Sequence, residues 1–204
     1  MPIRRRTLVQ AAAATLLAPA LARAQSATPE QTKSWETPRT LGDPKAPTEV
    51  VEFFSLTCTH CARFASETFH QIEENLIKTG KVRWEFRDFP LDRVALQAEM
   101  VARALPPTQY SRFLSAMFAT QDRWAFGAAD PQAEIEKMAL LAGMNKATFD
   151  AAWNDAALRD WILAEQKAAE DKYNINSTPT FLINGVKKEG EMSYDEFAKL
   201  IPNA

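Results

Sequence analysis

Soft metal ligands are scarce in this chain of 204 residues, which has two cysteines and two histidines. A structural zinc site takes four nitrogen or sulfur ligands. His60 and His70 would have to join both cysteines, and His60 is constrained because it lies between them. Attachment of a c-type haem requires histidine directly after the second cysteine, where this chain has Ala62. The sequence therefore predicts neither a metal site nor a haem site.

The chain also lacks an excess of positive charge, with 24 Lys and Arg against 26 Asp and Glu. A nucleic-acid partner would require a basic face, so the composition argues against that class of function. Beyond the first 24 residues, no apolar run is long enough to cross a membrane. The remaining length suits one domain, or one domain with a sizeable insertion.

Residues 1–24 have the layout of an export signal. Three arginines at 4–6 precede an apolar stretch over 8–21, and Ala22-Arg23-Ala24 offers a small-x-small cleavage site. The Arg5-Arg6 pair leaves twin-arginine export, an ordinary secretory signal and an uncleaved anchor as alternatives. We expect cleavage and export to the periplasm, where the environment is oxidising.

The two cysteines, Cys58 and Cys61, are separated by two residues and follow an apolar run. A disulfide across so short a loop would stabilise the fold by only about 2 kcal/mol before any strain is subtracted. The pair is therefore a poor structural cross-link. We predict that its function lies in the making and breaking of this bridge, and we expect no cofactor beyond that redox-active disulfide.

Hydrophobic periodicity predicts a strand, a helix and a second strand around the cysteines. The stretch 48–56 is short, β-branched and aromatic, which is typical of a buried central strand. Helical spacing over 64–76 and strand alternation over 81–90 follow it. The polar residues 25–35 are predicted to be a flexible lead-in. The cysteines then fall at the first turn from strand to helix.

Only helical patterns occur over 92–173, and strands return near the C-terminus. A strand over Thr180–Ile183 is followed by a tight turn at Asn184-Gly185 and a return strand. Ser193 and Glu196 have the spacing of a capping box and predict a short closing helix.

The position of Cys58 at the start of a helix predicts an acidic thiol. Unpaired backbone N–H groups and the positive end of the helix dipole both favour a thiolate there. His60 can stabilise the same anion, while Cys61 is placed to attack a mixed disulfide. Stabilising the thiolate stabilises the reduced form, so the disulfide becomes a stronger oxidant. Copper capture by the two thiolates is a weaker alternative.

Glu52 is a carboxylate within the first predicted strand. It is either an edge residue that faces water or a buried acid beside the Cys61 thiol that shuttles the proton of that thiol. Arg83 or Arg87 on the next strand could pair with the buried acid. We favour the buried, functional alternative, because an unpaired carboxylate in a strand interior is costly unless it has a use.

Thr178-Pro179 opens the last pair of strands. The peptide bond is either trans, marking only a strand boundary, or cis, as in a loop packed against a dithiol. We favour the cis form, which would bring the backbone of Thr178 against the Cys58–Cys61 disulfide. Free peptide groups would then remain to hold an extended substrate.

Three features together resemble the DsbA-like branch of the thioredoxin superfamily: "VVEFFSLTCTHC", the late "STPTFLINGV", and the helical block between them. The resemblance implies an α/β protein with a thioredoxin fold and an all-helical domain inserted between its βαβ and ββα halves. Residues 25–91 would form the lead-in and first half, 92–173 the helical insertion, and 174–204 the second half.

The resemblance also implies roles for individual residues. Cys58 would be the nucleophile, Cys61 the resolving thiol, His60 the tuning residue, Glu52 the buried acid, and Pro179 the cis-proline that binds substrate together with Thr178.

A periplasmic, monomeric disulfide donor is the activity that this resemblance implies. Its partners would be reduced or misfolded exported proteins and a quinone-linked membrane reoxidase of the DsbB type. Thr59 departs from the family pattern, because the best-known oxidase has proline there, and Thr178 is more typical of isomerase-like relatives. A narrow-substrate reductase or isomerase is therefore the main alternative, and a non-catalytic copper or peptide chaperone is the less favoured one.

Overall fold

A computed structural model describes residues 26–202. The predicted export signal over 1–24 lies outside the described residues, so cleavage and export stay predictions. Within the described part of the chain, none of the helices combines the length and the apolar character that crossing a bilayer requires.

A five-stranded sheet with the strand order β1-β3-β2-β4-β5 lies at the centre of the fold. Strands β2 and β3 are parallel, and the other neighbouring pairs are antiparallel. Every residue of β2 from Val50 to Phe54 is buried, so the prediction of a central strand is confirmed. The strands are β1 (Arg39–Leu41), β2 (Thr48–Phe54), β3 (Val82–Asp88), β4 (Thr180–Ile183) and β5 (Val186–Glu189).

Helices α4 to α8 lie between β3 and β4, which gives a thioredoxin fold with a helical insertion, as predicted. The π-helical segments Ala65–Phe69 and Glu73–Ile77 alternate with short α-helices after the cysteines, and a third, Asp122–Phe126, follows α5. The helices are α1 (Pro29–Trp35), α2 (Thr59–Phe64), α3 (His70–Ile72), α4 (Arg93–Arg103), α5 (Pro107–Ala119), α6 (Pro131–Leu141), α7 (Lys146–Trp153), α8 (Ala156–Tyr173) and α9 (Tyr194–Ala198).

An aromatic cluster around Trp84 attaches the cysteine-bearing helix to the sheet. The ring of Phe64 stacks on Trp84 with centroids 6.3 Å apart, and that of Phe69 meets Trp84 edge-on at 5.1 Å. Phe181 of β4 and Phe197 of α9 complete the cluster. Burying each such side chain contributes about 1.5–3 kcal/mol. The start of α2 is therefore held by the hydrophobic core.

The C-terminal half contains the local features that its sequence predicts. Asn184 and Gly185 have φ values of 48° and 82°, as required at both central positions of a tight hairpin turn. The side chain of Ser193 accepts from the backbone of Glu196, and the side chain of Glu196 accepts in return from the backbone of Ser193. The predicted hairpin and capping box are confirmed.

The prediction of a flexible lead-in is wrong for the residues of α1. Thr28 and Gln31 form a capping box that begins this helix. Trp35 at its end is buried and packs in a cluster with Met100 of α4 and Ile162 of α8. This burial supplies the tertiary packing that so short a helix needs in order to be stable.

A buried ion pair attaches the helical insertion to the sheet. The carboxylate of Asp88, at the end of β3, accepts hydrogen bonds from Arg103 of α4 and from Tyr110 of α5, the latter at 3.0 Å. The side chains of Asp88 and Arg103 are 2% and 4% exposed. Breaking such a pair leaves an uncompensated buried charge, so the two helices are strongly fixed to the strand.

Candidate active site

Cys58 is the N-cap residue of α2, at the turn that follows β2. Its Sγ accepts a hydrogen bond from the backbone N–H of Cys61 at 3.3 Å. Cys58 is 6% exposed and Cys61 is fully buried. The structure therefore brings both sulfurs together at the positive end of a helix, and Cys58 is the sulfur nearer to solvent.

The loop before β4 lies directly against Cys58. The Thr178-Pro179 peptide bond is cis, as predicted. Sγ of Cys58 lies 3.3 Å from the carbonyl oxygen of Thr178, which accepts a hydrogen bond from it when Cys58 is protonated. Strands β2 and β4 are neighbours in the sheet, and this pairing brings the loop to the end of β2 where α2 begins.

The two thiols differ in acidity because their surroundings differ. A hydrogen bond from the Cys61 thiol is the largest influence and lowers the pKa of Cys58 to about 6. The Thr178 hydroxyl and the backbone N–H groups of Cys61 and His60 lower it further, against the opposing effect of burial. Burial, followed by the same thiol–thiol hydrogen bond, raises the pKa of Cys61 well above its ordinary value. At neutral pH the pair therefore holds one thiolate, on Cys58, and one proton, on Cys61.

Glu52 is a buried acid on β2 and not an edge residue that faces water, since only 4% of it is exposed. Its Oε2 accepts a hydrogen bond from Nε1 of Trp84 at 3.2 Å. Burial raises the pKa of Glu52 to about 8, and the negative charge of Cys58 adds to this effect. The charge of Glu52 in turn raises the pKa of Cys61. The carboxyl group is therefore linked electrostatically to both sulfurs.

The prediction that Arg83 or Arg87 pairs with Glu52 is wrong. In the parallel register Glu52 lies beside Phe86 of β3. Side chains alternate between the faces of a strand, so Arg83 and Arg87 point to the face opposite Glu52. Both arginines contact Glu85 on that face instead. Glu52 consequently has an indole N–H as its partner, and among residues 26–202 no cation pairs with it to keep it ionised.

His60 contributes to the site through its backbone more directly than through its imidazole. Its backbone N–H helps to lower the pKa of Cys58. Its side chain is 60% exposed, and Nδ1 lies 3.3 Å from Oε1 of Glu191 in the loop after β5. Arg63 contacts the same carboxylate oxygen. The imidazole is therefore paired with Glu191 at the protein surface.

Two residues of the helical insertion contact the active-site loop and were missed by the sequence analysis. Nε2 of Gln121 donates to the carbonyl oxygens of Leu56 and Cys58 at 2.8 and 3.1 Å. Oε1 of Glu99 accepts from the backbone N–H of Leu56 at 3.0 Å. These partners are 43 to 65 residues apart in the chain, so no local spacing could have revealed them.

The two thiols are also the soft ligands that this site could offer a metal. Two thiolates can bind Cu(I), which keeps copper capture open to test. Among residues 26–202, no group of three or more His, Cys, Asp or Glu side chains is placed to hold a metal ion.

Comparison with known proteins identifies the family. A family model described as Thioredoxin matches residues 34–203. The crystal structure of alpha-DsbA1 from Wolbachia pipientis is similar, with a TM-score of 0.76 and 32% identity, over 80% of this chain and 88% of that chain. The chain belongs to the DsbA-like branch of the thioredoxin family.

Curated proteins that are similar to this chain in sequence include further thiol:disulfide oxidoreductases. The thiol:disulfide interchange protein DsbA of Haemophilus influenzae is 27% identical over 158 residues, covering 74% of each chain. A Rickettsia typhi relative, named provisionally as a protein-disulfide oxidoreductase, is 26% identical over 165 residues. That match covers 80% of this chain, and this DsbA-like chain spans 60% of the length of the relative.

Proposed function

We propose that this DsbA-like chain is a thiol:disulfide oxidoreductase that donates its Cys58–Cys61 disulfide to exported proteins. The observation that carries the proposal is the contrast between the two thiols. The pKa of Cys58 is lowered to about 6, whereas that of its neighbour Cys61 is raised. A sulfur that is stable as an anion is a good leaving group in disulfide exchange, so the bridge is readily transferred.

Donation proceeds by two thiolate attacks. A substrate thiolate attacks Sγ of Cys58, the Cys58–Cys61 bond breaks, and the Cys61 sulfur leaves and takes up a proton. A second substrate thiolate then attacks the substrate sulfur of the mixed disulfide and expels Cys58 as a thiolate. The substrate dithiol is thereby oxidised to a disulfide, and the enzyme disulfide is reduced.

Glu52 is proposed to supply the proton that Cys61 takes up. A pKa of about 8 leaves the Glu52 carboxyl protonated at neutral pH. The departing Cys61 sulfur is buried, so it gains strongly from protonation. Among the groups that influence Cys61, Glu52 is the carboxyl whose charge opposes that of the thiolate. Transfer of its proton would neutralise the buried Cys61 thiolate, whose pKa lies above that of Glu52.

The substrate is proposed to bind as an extended chain along the Thr178-Pro179 loop. The Thr178 carbonyl already lies against Sγ of Cys58, so backbone hydrogen bonds there would bring a substrate sulfur to the reacting atom. Such recognition reads the peptide backbone rather than particular side chains. Reduced or misfolded exported proteins are the substrate class that fits.

The cellular setting is part of the proposal. Residues 1–24 predict export, and the periplasm is an oxidising compartment in which the disulfides that a donor forms persist. Two electrons remain on the enzyme after each turnover, so a reoxidant is needed. A quinone-linked membrane protein of the DsbB type is the proposed reoxidant, with the donor acting as a monomer.

Equilibration with glutathione tests the donor role. We expect Cys58 and Cys61 to be reduced by far less reducing glutathione mixtures than an ordinary structural disulfide requires. The oxidised protein should also introduce disulfides into a reduced, unfolded protein. A disulfide that forms only under strongly oxidising glutathione ratios fits the donor, whereas one that persists in a cytosol-like mixture contradicts it.

A reductase or isomerase is the second candidate, favoured by Thr178 before the cis-proline. It predicts reshuffling of scrambled disulfides without net oxidation of reduced protein. Tight stoichiometric Cu(I) binding without either activity would instead indicate a chaperone.

A further inference from the structure

The backbone that leads from β2 into the cysteine helix is held by one buried amide. Gln121 is 4% exposed and lies just before the π-helical segment Asp122–Phe126. Its Nε2 uses both N–H groups, one on the carbonyl of Leu56 and one on the carbonyl of Cys58. A single side chain of the helical insertion therefore spans the turn that carries the nucleophile.

The Cys58 carbonyl is also the first acceptor of the helix. It receives the N–H of Ala62 at 3.1 Å, the bond with which α2 starts. Gln121 shares that oxygen, so it fixes the orientation of the peptide unit between Cys58 and Thr59. This peptide leads directly into the two N–H groups that lower the pKa of Cys58. Their direction depends on how that unit is held.

Glu99 holds the other side of the same turn. It is fully buried, and its Oε1 accepts the Leu56 N–H. Its Oε2 has no hydrogen-bond partner within residues 26–202. Burial, with the charge of Asp88, raises the pKa of Glu99 well above its ordinary value. Burial therefore favours the neutral carboxyl, which binds the turn with less negative charge near the sulfurs than a carboxylate would have.

We propose that Gln121 and Glu99 are positioning residues through which the helical insertion aims the backbone N–H groups of α2 at the Cys58 sulfur. The inference rests on the proposed function, because it explains what makes Cys58 a good leaving group. It assigns the insertion a part in the chemistry in addition to any part in substrate binding. A purely structural role for Gln121 would lower stability and leave the acidity of Cys58 unchanged.

Replacement of Gln121 by methionine removes both N–H groups and keeps the length of the side chain. In the reduced Gln121→Met protein, we expect the thiolate absorbance midpoint to rise by about half a pH unit or more, roughly a threefold change in the acid dissociation constant. The glutathione equilibrium should become less oxidising by a similar factor. Gln109→Met, on the exposed surface of α5, is the matched control and should titrate like the wild type.

Two variants of Glu99 give an independent test. Glu99→Gln keeps an oxygen that can accept the Leu56 N–H, whereas Glu99→Met does not. We expect Glu99→Met to raise the midpoint and Glu99→Gln to leave it close to the wild type. Far- and near-UV circular dichroism would show whether Gln121→Met folds. If it does not, the two Glu99 variants still test the positioning role.

The outcomes separate this inference from the proposed function. If the Gln121→Met or Glu99→Met protein folds and has the wild-type midpoint, the inference is contradicted. The proposed function is still supported in that case if the wild type donates disulfides. A wild-type Cys58 that titrates like a free thiol contradicts both. Equal loss of stability in all variants, with no change in midpoint, would assign the two residues to structure alone.

Discussion

Sγ of Cys58 lies 3.3 Å from the carbonyl oxygen of Thr178, a residue 120 positions further along the chain. The contact joins the two halves of the thioredoxin fold at the reacting atom. The acidity of Cys58 thus depends on α2, on the loop before β4 and on its neighbour Cys61 at once. Each contribution can be removed separately.

Removing the Cys61 thiol should make Cys58 less acidic. The hydrogen bond from Cys61 is the largest influence that lowers the pKa of Cys58 to about 6. We expect Cys61→Ala to raise that pKa by about one unit, and Cys61→Ser, which keeps a hydroxyl donor, to raise it less. Thiolate ultraviolet absorbance followed against pH measures both. Identical midpoints for the alanine and serine variants would show that the hydrogen bond is not the cause.

The hydroxyl of Thr178 should act separately from its backbone. Thr178→Val removes the hydroxyl that helps to lower the pKa of Cys58 and keeps the shape of the side chain, whereas Thr178→Ser keeps the hydroxyl. We therefore expect the valine variant to have a higher midpoint and a less oxidising glutathione equilibrium, by a few-fold. The serine variant should stay near the wild type. A valine variant that is as acidic as the wild type would show that the hydroxyl does not contribute to the acidity of Cys58.

Glu52 should make the stability of the reduced protein depend on pH. Its pKa rises from an ordinary 4.5 to about 8 on folding, so between these values the folded state holds a proton that the unfolded chain releases. Stability gained from the neutral carboxyl is present below pH 4.5 and is lost as the pH rises towards 8. Glu52→Gln does not titrate, so its stability relative to the wild type should increase with pH, by up to about 1.4 kcal/mol per unit.

Urea unfolding at several pH values measures this difference. Glu49→Gln, at an exposed position of the same strand, is the matched control. A difference between Glu52→Gln and the wild type that stays constant from pH 5 to about 8 would mean that Glu52 is ionised throughout.

The buried pair of Asp88 and Arg103 should be critical for attachment of the insertion. Arg103→Met leaves the Asp88 carboxylate buried without its cation, and we expect a loss of about 3–5 kcal/mol in the free energy of unfolding. Arg159→Met removes an exposed partner of Asp160 and should cost at most about 0.5 kcal/mol. Comparable losses in the two variants would contradict this account of the pair.

Local sequence patterns were sufficient for most of the elements. The central strand, the cysteines at its end, the helical block and the Asn184-Gly185 hairpin all depend on periodicity or turn chemistry over a few residues. Helix α1 could have been predicted from local sequence, because Thr28 and Gln31 have the spacing of a capping box. The polar composition of 25–35 led to the prediction of a flexible segment instead, although Trp35 is buried.

The remaining features depend on long-range placement. The indole partner of Glu52 follows from the parallel register of β2 and β3, which no single segment encodes. The contacts of Gln121 and Glu99 cross from the insertion to the turn before α2. The π-helical segments after the cysteines add residues to a turn without any spacing that distinguishes them from an α-helix. Such features require the assembled fold.

The order of synthesis gives the separation between Cys58 and Thr178 a further consequence. Strand β4 sits next to β2 in the sheet, yet a ribosome must add well over a hundred residues between them. A growing polypeptide therefore carries both sulfurs before the segment that shields one of them has been made. Until then both sulfurs are open to any oxidant or thiol that they meet, and they become shielded only once the loop before β4 has been synthesised.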